Sequence, residues 1–317
     1  MRWNHQLCHS EFSITPMPPF RLDLTAWALR RRPENEMDLW DGQSYRRVLM
    51  IDGEPVQVTV RQVGKPERPR LRVTLRAARI TSRMKGTARS LLERMLGLRK
   101  DLTAFYELAA RDSKIALMAE EFRGLKPPRF PSVFEAVANG IACQQLSLAV
   151  GILLLNRLTR RFGCPGANAL RAFPDPVRLA IVKTPSLREL GFNTLKSREL
   201  IELSAAIRDR RLDLEALAAL DNERALETLL RIKGVGRWTA EYVLLRGFGH
   251  LDTFPGDDVG ARNKLAVFLG LRGPLSYETV QRAVARWQPF AGFIYFHLLL
   301  ANIKKAGWLQ LANSNCT

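Results

Sequence analysis

The chain has 317 residues, of which 46% are hydrophobic and 25% charged, and it is long enough to form two domains. Its charge is unusual, because 49 Lys and Arg against 31 Asp and Glu give a formal net charge of +18. This excess favours a polyanionic partner, of which nucleic acid is the commonest. The sequence contains no apolar run long enough to cross a membrane and no apolar core of a signal peptide, and its four scattered cysteines form neither a metal-binding spacing nor a disulfide framework. We therefore expect an intracellular protein, in the cytoplasm and nucleoid or in a nucleus, that does not bind membranes.

The first third of the sequence predicts a flexible tail over residues 1–11 and a small α/β domain over residues 12–100. Tyr45–Val63 alternates apolar and polar residues on both sides of Asp52-Gly53, a pair typical of a tight turn between two strands. Between residues 61 and 100, thirteen Lys and Arg stand with two acidic residues. Such a run favours a solubilising surface or a contact with a phosphate backbone equally.

Residues 101–317 predict an all-helical domain. From about Ala88 onward, apolar residues recur three and four positions apart, and Pro and Gly separate the successive segments. No repeat of fixed period is present. The predicted fold class is therefore α+β and mostly α.

A short glycine turn lies between two of the predicted helices, in the stretch "RIKGVGRWTAEYVLLRGFG". Glycine at 234 and 236 removes the side chains that would hold a phosphate away from the backbone N–H groups. We therefore predict that Gly234, Val235, Gly236 and Arg237 contact a phosphodiester, whatever the base sequence. A simple connection between helices is the alternative.

Two adjacent acids, Asp257 and Asp258, follow the turn after about twenty residues, directly behind Pro255-Gly256. One of them is expected to cap the next helix. However, a carboxylate near the predicted phosphate contact would repel DNA. Because this repulsion weakens DNA binding, the presence of the acid suggests a catalytic role.

Three segments of the sequence together resemble the helix-hairpin-helix DNA glycosylases of base excision repair, and among them the type II 3-methyladenine DNA glycosylases. They are "IKGVGRWTAEYVLLRGFGHLDTFPGDD", "FPSVFEAVANGIACQQLSLAVG" and "RWQPFAGFIYFHLL". The likeness continues faintly through "PPFRLDLTAWALRRRP", so it covers nearly the whole chain. It implies an N-terminal domain of the split β-α-β kind followed by an all-helical glycosylase domain.

The resemblance implies that Asp258 is the catalytic residue. A purine alkylated on a ring nitrogen already carries a positive charge, so it can leave without a general acid, and one carboxylate is enough to stabilise the positive charge on the sugar. Lyase-competent relatives carry a nucleophilic lysine where this chain has Trp238. The implied enzyme is therefore a monofunctional glycosylase that leaves an abasic site and needs no metal or cofactor.

The resemblance also implies how the damaged base is held. Trp238, Tyr242 and Trp27 are the expected base pocket, with aromatic faces that attract a cationic base, although core packing would explain the first two as well. Close relatives carry aromatic residues where this chain has Leu299 and Leu300, which implies a less aromatic wall there. His297, on the same apolar helix, is expected to be buried and hydrogen-bonded.

Further candidate residues concern the DNA duplex. Base flipping leaves a gap in the stack, and the resemblance places the residue that fills it at Gln145, with Gln144 beside it; a helix cap or a solvated pair is the alternative. Arg262 and Lys264 are the candidate phosphate contacts. Lys196 and Arg198 are weaker ones.

The expected partner is double-stranded DNA that contains damaged bases, bound by a monomer. Two alternatives remain open: a glycosylase of the same fold for a deaminated or oxidised base, and a non-enzymatic protein that binds DNA or senses damage. Asp258 distinguishes an enzyme from a non-enzymatic protein, because a protein that only binds DNA gains nothing from an acid near phosphate.

Overall fold

The structure, a computed structural model, describes residues 7–309. This part of the chain confirms the α+β, mostly helical fold class, with one antiparallel sheet near its N-terminus and helices after it. The strands are β1 Cys8–Ile14, β2 Leu39–Trp40, β3 Ser44–Ile51, β4 Glu54–Gln62 and β5 Leu71–Ala77. The sheet order is β1-β5-β4-β3-β2. None of the helices in the described part is long and apolar enough to cross a membrane.

The predicted turn between two strands is confirmed. Asp52 and Gly53 have φ angles of 49° and 81°, which are the left-handed values that a tight turn between antiparallel strands requires. On the outer face of β5, Arg72 and Arg76 are exposed.

The prediction that residues 8–11 belong to a flexible tail is wrong, because they form most of β1. This strand pairs with β5 in the register that places His9 opposite Arg76. Its sequence, CHSEFSI, is mostly polar, and only Ile14 is fully buried. Backbone pairing with a sheet edge therefore stabilises this strand, and such pairing leaves little hydrophobic signal in the sequence. Residues 1–6 of the predicted tail lie outside the described residues.

The helices begin at positions with clear local causes. Short polar side chains such as Ser132, Ser147 and Asn193 accept a hydrogen bond from the first helical turn. The helices are α1 Leu22–Arg30, α2 Ser82–Met95, α3 Thr103–Ala110, α4 Ser113–Glu121, α5 Val133–Cys143, α6 Leu148–Phe162, α7 Pro176–Leu179, α8 Thr184–Arg188, α9 Thr194–Arg208, α10 Asn222–Leu230, α11 Arg237–Val243, α12 Val259–Leu269, α13 Tyr277–Val284 and α14 Ala291–Lys305. One π-helical turn, Leu244–Phe248, continues α11.

The buried apolar residues form three clusters. The sheet core lies between the sheet, α2 and one side of α1. The middle core is formed mainly by α5 to α11 and is nearly contiguous in sequence. The C-terminal core joins the other side of α1 to α3, α4 and α12 to α14. The helical part therefore has two cores rather than one, and α1 contacts both the sheet and the C-terminal helices.

A buried ion cluster joins the sheet to the helices. It consists of Asp38, Tyr45, Arg47 and Glu135, all nearly inaccessible to solvent. Arg47 on β3 donates to Asp38 at 2.6 Å and to Glu135 Oε2 on α5 at 2.6 Å, and the Tyr45 hydroxyl donates to Asp38 at 2.6 Å. Burial alone would raise the pKa of Asp38, but the charge of Arg47 and the hydrogen bonds from Tyr45 and Arg47 together outweigh burial and lower that pKa. The cluster therefore stays charged and bonded inside the protein.

Candidate active site

Asp258 lines a cavity of about 300 Å³ between the middle and C-terminal cores. The walls come from the end of α1, the turn between α5 and α6, and helices α11, α12 and α14. The charged and aromatic side chains that line it are Arg31, Trp238, Tyr242, Asp258, Lys264 and Tyr295. The cavity is large enough for a small ligand of the size of a nucleobase.

Asp258 has a structural and a cavity-facing role at once. Its Oδ1 accepts a hydrogen bond from the backbone N–H of Ala261 at 2.8 Å, so the residue caps α12. Its Oδ2 accepts from the Tyr295 hydroxyl at 3.2 Å. Burial and the charge of Asp258 raise the pKa of Tyr295 well above its ordinary value, so this hydroxyl stays protonated and acts as a donor. Both interactions fix the carboxylate at the cavity wall.

Glu241 ties the loop before Asp258 to α11. Its Oε2 accepts from the Gly256 backbone N–H at 2.9 Å, and its Oε1 accepts from the Tyr277 hydroxyl at 2.6 Å. Burial raises the pKa of Glu241. Because Glu241 lies on the helix that begins at the glycine turn, the turn and the loop of Asp258 are held in a fixed relation. No local sequence signal predicts this role of Glu241, because both of its partners lie in other segments.

The predicted aromatic pair is present in the cavity wall. The rings of Trp238 and Tyr242 stack with centroids 5.6 Å apart and an angle of 28° between their planes. The Tyr242 hydroxyl accepts from Arg31 at 3.0 Å, and the guanidinium of the buried Arg246 lies 5.8 Å from the Tyr242 ring centroid. The Tyr242 ring therefore already has a cation of the protein as its neighbour.

The prediction that Trp27 lines the base pocket is wrong. Trp27 packs into the C-terminal core and borders a different surface depression, beside Trp40 and Trp308. Arg31, four residues later, lines the cavity instead. The cause is local: α1 ends at Arg30, and Arg31 has a left-handed φ of 63°, which separates its side-chain direction from that of the helix.

Lys264, predicted as a phosphate contact, is partly buried and lines the cavity. Its Nζ donates to the Gly260 carbonyl at 3.2 Å. Burial lowers the pKa of Lys264, and the charge of Asp258 opposes this effect. Asp258, Ala261 and Lys264 follow one another at intervals of three, so they share one side of the first turns of α12. That spacing is a sequence signal that would have placed Lys264 with Asp258.

The glycine turn Gly234–Gly236 connects α10 to α11, as predicted. Gly234 has a φ of 84°, and a Cβ built on it would lie 2.5 Å from Glu199 Cδ, so the fold itself requires glycine there. Gly236 has an ordinary φ of −87°, and a Cβ built on it would meet nothing within 4 Å. Val235, between them, is buried. The open side of Gly236 therefore faces solvent.

The two glutamines of the turn between α5 and α6 have different surroundings. The Gln144 amide donates to the Gly234 carbonyl at 2.7 Å and to the Thr239 hydroxyl at 2.9 Å, so it supports the glycine turn from inside. Gln145 is exposed and has a left-handed φ of 53°. Its neighbour Leu146 is also exposed and lines the cavity. The expected wedge position is thus at the mouth of the cavity.

Other predicted phosphate contacts have partners inside the protein. Arg237 is half exposed, lies 4.5 Å from the Tyr277 ring centroid, and pairs with Asp257 at 3.7 Å. Arg262 donates to the Leu275 carbonyl at 3.2 Å. Lys196 is buried and donates to the Gln144 carbonyl at 2.6 Å, so the suggestion that it contacts phosphate is wrong.

The wall formed by α14 is partly as predicted. Leu299 lines the cavity, but Leu300 points into the C-terminal core. Tyr295, one helical turn before Leu299, supplies an aromatic ring that the sequence analysis did not anticipate on this wall. His297 is buried, and its Nδ1 donates to the Phe293 carbonyl at 2.9 Å, as expected. In the described part of the chain, no group of three or more His, Cys, Asp and Glu is placed to hold a metal ion.

Comparisons with known proteins agree on one family. Residues 138–289 match the model of the HhH-GPD superfamily base excision DNA repair protein. The DNA-3-methyladenine glycosylase of Bacillus subtilis (strain 168) is 30% identical over 208 residues, which are 64% of this chain and 69% of that protein. A probable N-glycosylase/DNA lyase of Methanothermobacter thermautotrophicus is 26% identical over 265 residues, 76% of this chain and 80% of that protein.

The solved structure of the 3-methyladenine DNA glycosylase from Archaeoglobus fulgidus superposes with a TM-score of 0.79 at 27% identity, covering 92% of this chain and 98% of that one. The chain therefore belongs to the HhH-GPD superfamily of base excision DNA repair proteins. Within that superfamily it is a DNA glycosylase.

Proposed function

We propose that the protein is a type II 3-methyladenine DNA glycosylase, which hydrolytically removes 3-methyladenine and similar alkylated purines from double-stranded DNA as a monomer and leaves an abasic site. The observation that carries this proposal is the position of Asp258. It lines a base-sized cavity together with a stacked aromatic pair and residues of the α5–α6 turn.

The mechanism follows from the carboxylate. As the bond between the sugar and the base breaks, positive charge develops on the sugar, and the negative charge of Asp258 stabilises it. The hydrogen bonds from Ala261 and Tyr295 hold the carboxylate in place, so it does not have to reorient during the reaction. Water then adds to the sugar carbon, and its proton passes to the carboxylate or to solvent.

The surface beside the cavity provides the proposed contacts with the DNA duplex. The open side of Gly236 allows a phosphate to approach the backbone N–H groups of the glycine turn. Gln145, exposed at the cavity mouth, would enter the duplex and occupy the place of the flipped base. Gln144 contributes indirectly, because it hydrogen-bonds the Gly234 carbonyl.

The absence of lyase activity is part of the proposal. Trp238 offers no nucleophile, and Lys233, at the start of the glycine turn, is exposed and pairs with Glu202 at 2.9 Å. Lys264, however, lies in the cavity wall, so it is the lysine that a test of lyase activity has to address. The relation to a probable N-glycosylase/DNA lyase makes this test necessary.

The test is base release from methylated duplex DNA by the wild type and by Asp258→Asn. We expect the wild type to release 3-methyladenine and the variant to be about 100- to 1000-fold slower, because an electrostatic contribution to the transition state is lost. Asp258→Asn should still bind abasic DNA at least as tightly. Strand breaks should appear only after alkali, and borohydride should trap no covalent complex with the wild type or with Lys264→Gln.

A protein that binds DNA but releases no base, with Asp258→Asn behaving like the wild type, would instead be a binding or damage-sensing protein. A borohydride-trapped complex that disappears in Lys264→Gln would establish lyase activity through that residue and contradict the monofunctional mechanism.

A further inference from the structure

The basic run of residues 61–100 is not explained by the site around Asp258. It contains thirteen Lys and Arg and two acidic residues. Four of its arginines pair with acids at 2.5 to 3.8 Å: Arg79, Arg83, Arg94 and Arg99. Other arginines of the run lie on the outer face of the sheet, which points away from the sheet core. These are cations that the fold itself does not use.

The strand pairing brings three of these arginines together. Val73 and Leu75 on β5 point into the sheet core, so Arg72 and Arg76 point to the outer face. Arg61 on β4 lies directly opposite Arg72 and shares that face. All three arginines are exposed. We refer to Arg61, Arg72 and Arg76 as the basic sheet face.

The basic sheet face has no counter-charge of its own. Within the part of the chain that the structure describes, its three arginines form no ion pair and no side-chain hydrogen bond. Glu11, on the neighbouring strand β1, instead accepts a hydrogen bond from Thr74 at 3.0 Å and lies 3.6 Å from His9. Like charges directly opposite each other on adjacent strands destabilise a sheet. The position of Arg61 opposite Arg72 therefore lowers stability, and a bound polyanion would offset this effect.

The chemistry of the face fits a phosphate backbone. Each guanidinium can bind a phosphate through two parallel N–H···O bonds. Arg72 and Arg76 are about 13 Å apart along the strand, and over this length a duplex carries roughly eight phosphate charges. Between the arginines the face presents Thr59 and Thr74, rather than the apolar side chains by which a protein surface enters a membrane. Because the chain belongs to a superfamily of DNA repair proteins, duplex DNA is the polyanion that best fits the face.

The basic sheet face is remote from the mouth of the cavity. Helix α6 begins at the mouth, where Ser147 and Leu148 line the cavity. Its 15 residues make it about 22 Å long. The loop that follows α6 packs on the outer face of the sheet, where a Cβ built on Gly166 would lie 2.9 Å from the Val48 methyl groups. The phosphates that flank the cavity are therefore not those that would reach the basic sheet face.

We propose that the basic sheet face binds a second segment of duplex DNA, whatever its sequence, while the mouth of the cavity holds the first. A protein that holds two segments passes from one to the other without being released into solution. The proposal concerns a surface outside the site around Asp258, so it does not depend on which base that site removes.

The test uses two short duplexes with different fluorescent labels. The first contains a stable abasic-site analogue and saturates the mouth of the cavity, and the second is undamaged and is titrated into that complex. The sheet-face variant combines Arg61→Gln, Arg72→Gln and Arg76→Gln. A matched control replaces by Gln three exposed arginines of the helical part that form no ion pair among the described residues: Arg111, Arg210 and Arg272. Both variants lower the net charge by the same amount.

We expect the wild type and the control to form a complex that contains both labels. The sheet-face variant should bind the second duplex about 10- to 100-fold more weakly, and its slope of log affinity against log salt should fall by about 2 to 3, because each lost phosphate contact contributes about 0.9. It should bind the first duplex and release bases like the wild type. Its melting temperature should be unchanged or higher, because the like-charged pair has been removed.

Equal losses in the sheet-face variant and the control would show that net charge alone binds the second duplex, which would overturn the proposal. A wild type that forms no complex with both labels also overturns it. So does a sheet-face variant that loses affinity only for one long duplex, because the face would then extend the first contact. Binding to phosphatidylserine vesicles that the sheet-face variant loses, while it still binds the second duplex, would assign the face to a membrane instead. Failure of the proposed function is recognised separately, because it is measured by base release.

Discussion

Two regions of the molecule are built differently. Where the sheet meets α5, charged and titratable groups are buried and bonded to one another, in the buried ion cluster of Asp38, Tyr45, Arg47 and Glu135. On the side of the glycine turn, the backbone itself is exposed, and glycine keeps side chains out of the way. The first region therefore depends on buried, paired charges and the second on an open backbone.

The largest expected effect concerns the buried ion cluster. Arg47→Ala leaves Asp38 and Glu135 buried without their cation, so we expect the free energy of unfolding to fall by about 3 to 5 kcal/mol. The matched control is Arg46→Ala on the same strand, because Arg46 pairs with Asp41 at a surface where both are about 40% exposed. Its effect should stay within about 1 kcal/mol. Urea unfolding measures both; equal losses would show that burial is not what distinguishes the two arginines.

The second effect concerns His297, on the helix that carries Tyr295 and Leu299. Burial lowers the pKa of His297 from 6.5 to about 4. The unfolded chain therefore binds a proton more readily than the folded one, and acid favours unfolding. Stability from this group is complete above pH 6.5 and is lost as the pH falls towards 4, by about 3 kcal/mol in total. The free energy of unfolding of His297→Gln, measured across this range, should fall less steeply with acid than that of the wild type; an identical slope would contradict the buried neutral histidine.

The smallest expected effect compares the two glycines of the turn. Gly234→Ala forces a left-handed φ and a close approach to Glu199, so it should cost about 1 to 3 kcal/mol of stability. Gly236→Ala has room and an ordinary φ, so its cost should stay below about 1 kcal/mol. Its added methyl group, however, stands where a phosphate is expected. Thermal unfolding and binding to undamaged duplex DNA should therefore distinguish the two variants. We expect Gly236→Ala to bind DNA more weakly without a loss of stability. Unchanged binding would remove Gly236 from the DNA interface.

The parts of the molecule that local sequence determines were predictable. The strand turn at Asp52-Gly53 and the glycine turn at Gly234–Gly236 depend on backbone conformations that glycine and aspartate favour, and both are present. The stacking of Trp238 on Tyr242 follows from their separation by four residues on one helix.

The errors concern contacts between distant segments. Trp27 lies on α1 and Arg31 directly follows its end, and α1 turns Trp27 into the C-terminal core while Arg31 reaches the cavity. Glu241 was missed because its partners, Gly256 and Tyr277, lie in other elements. Strand β1 was missed because it pairs with β5, a strand far away in the sequence: Ile14 lies opposite Leu71 and Cys8 opposite Ala77.

The division of the helical part into two cores also bears on how the protein forms during translation. The middle core is nearly contiguous, so it can assemble as soon as α11 has been synthesised. The C-terminal core joins α3 and α4, which end at Glu121, to helices that begin only at Val259. At ribosomal speed the apolar faces of α3 and α4 wait about 10 to 40 s for α14. Because the cavity lies between these two cores, Asp258 gains its full surroundings only after α14 has been synthesised, so a nascent chain that ends before α14 has an incomplete cavity.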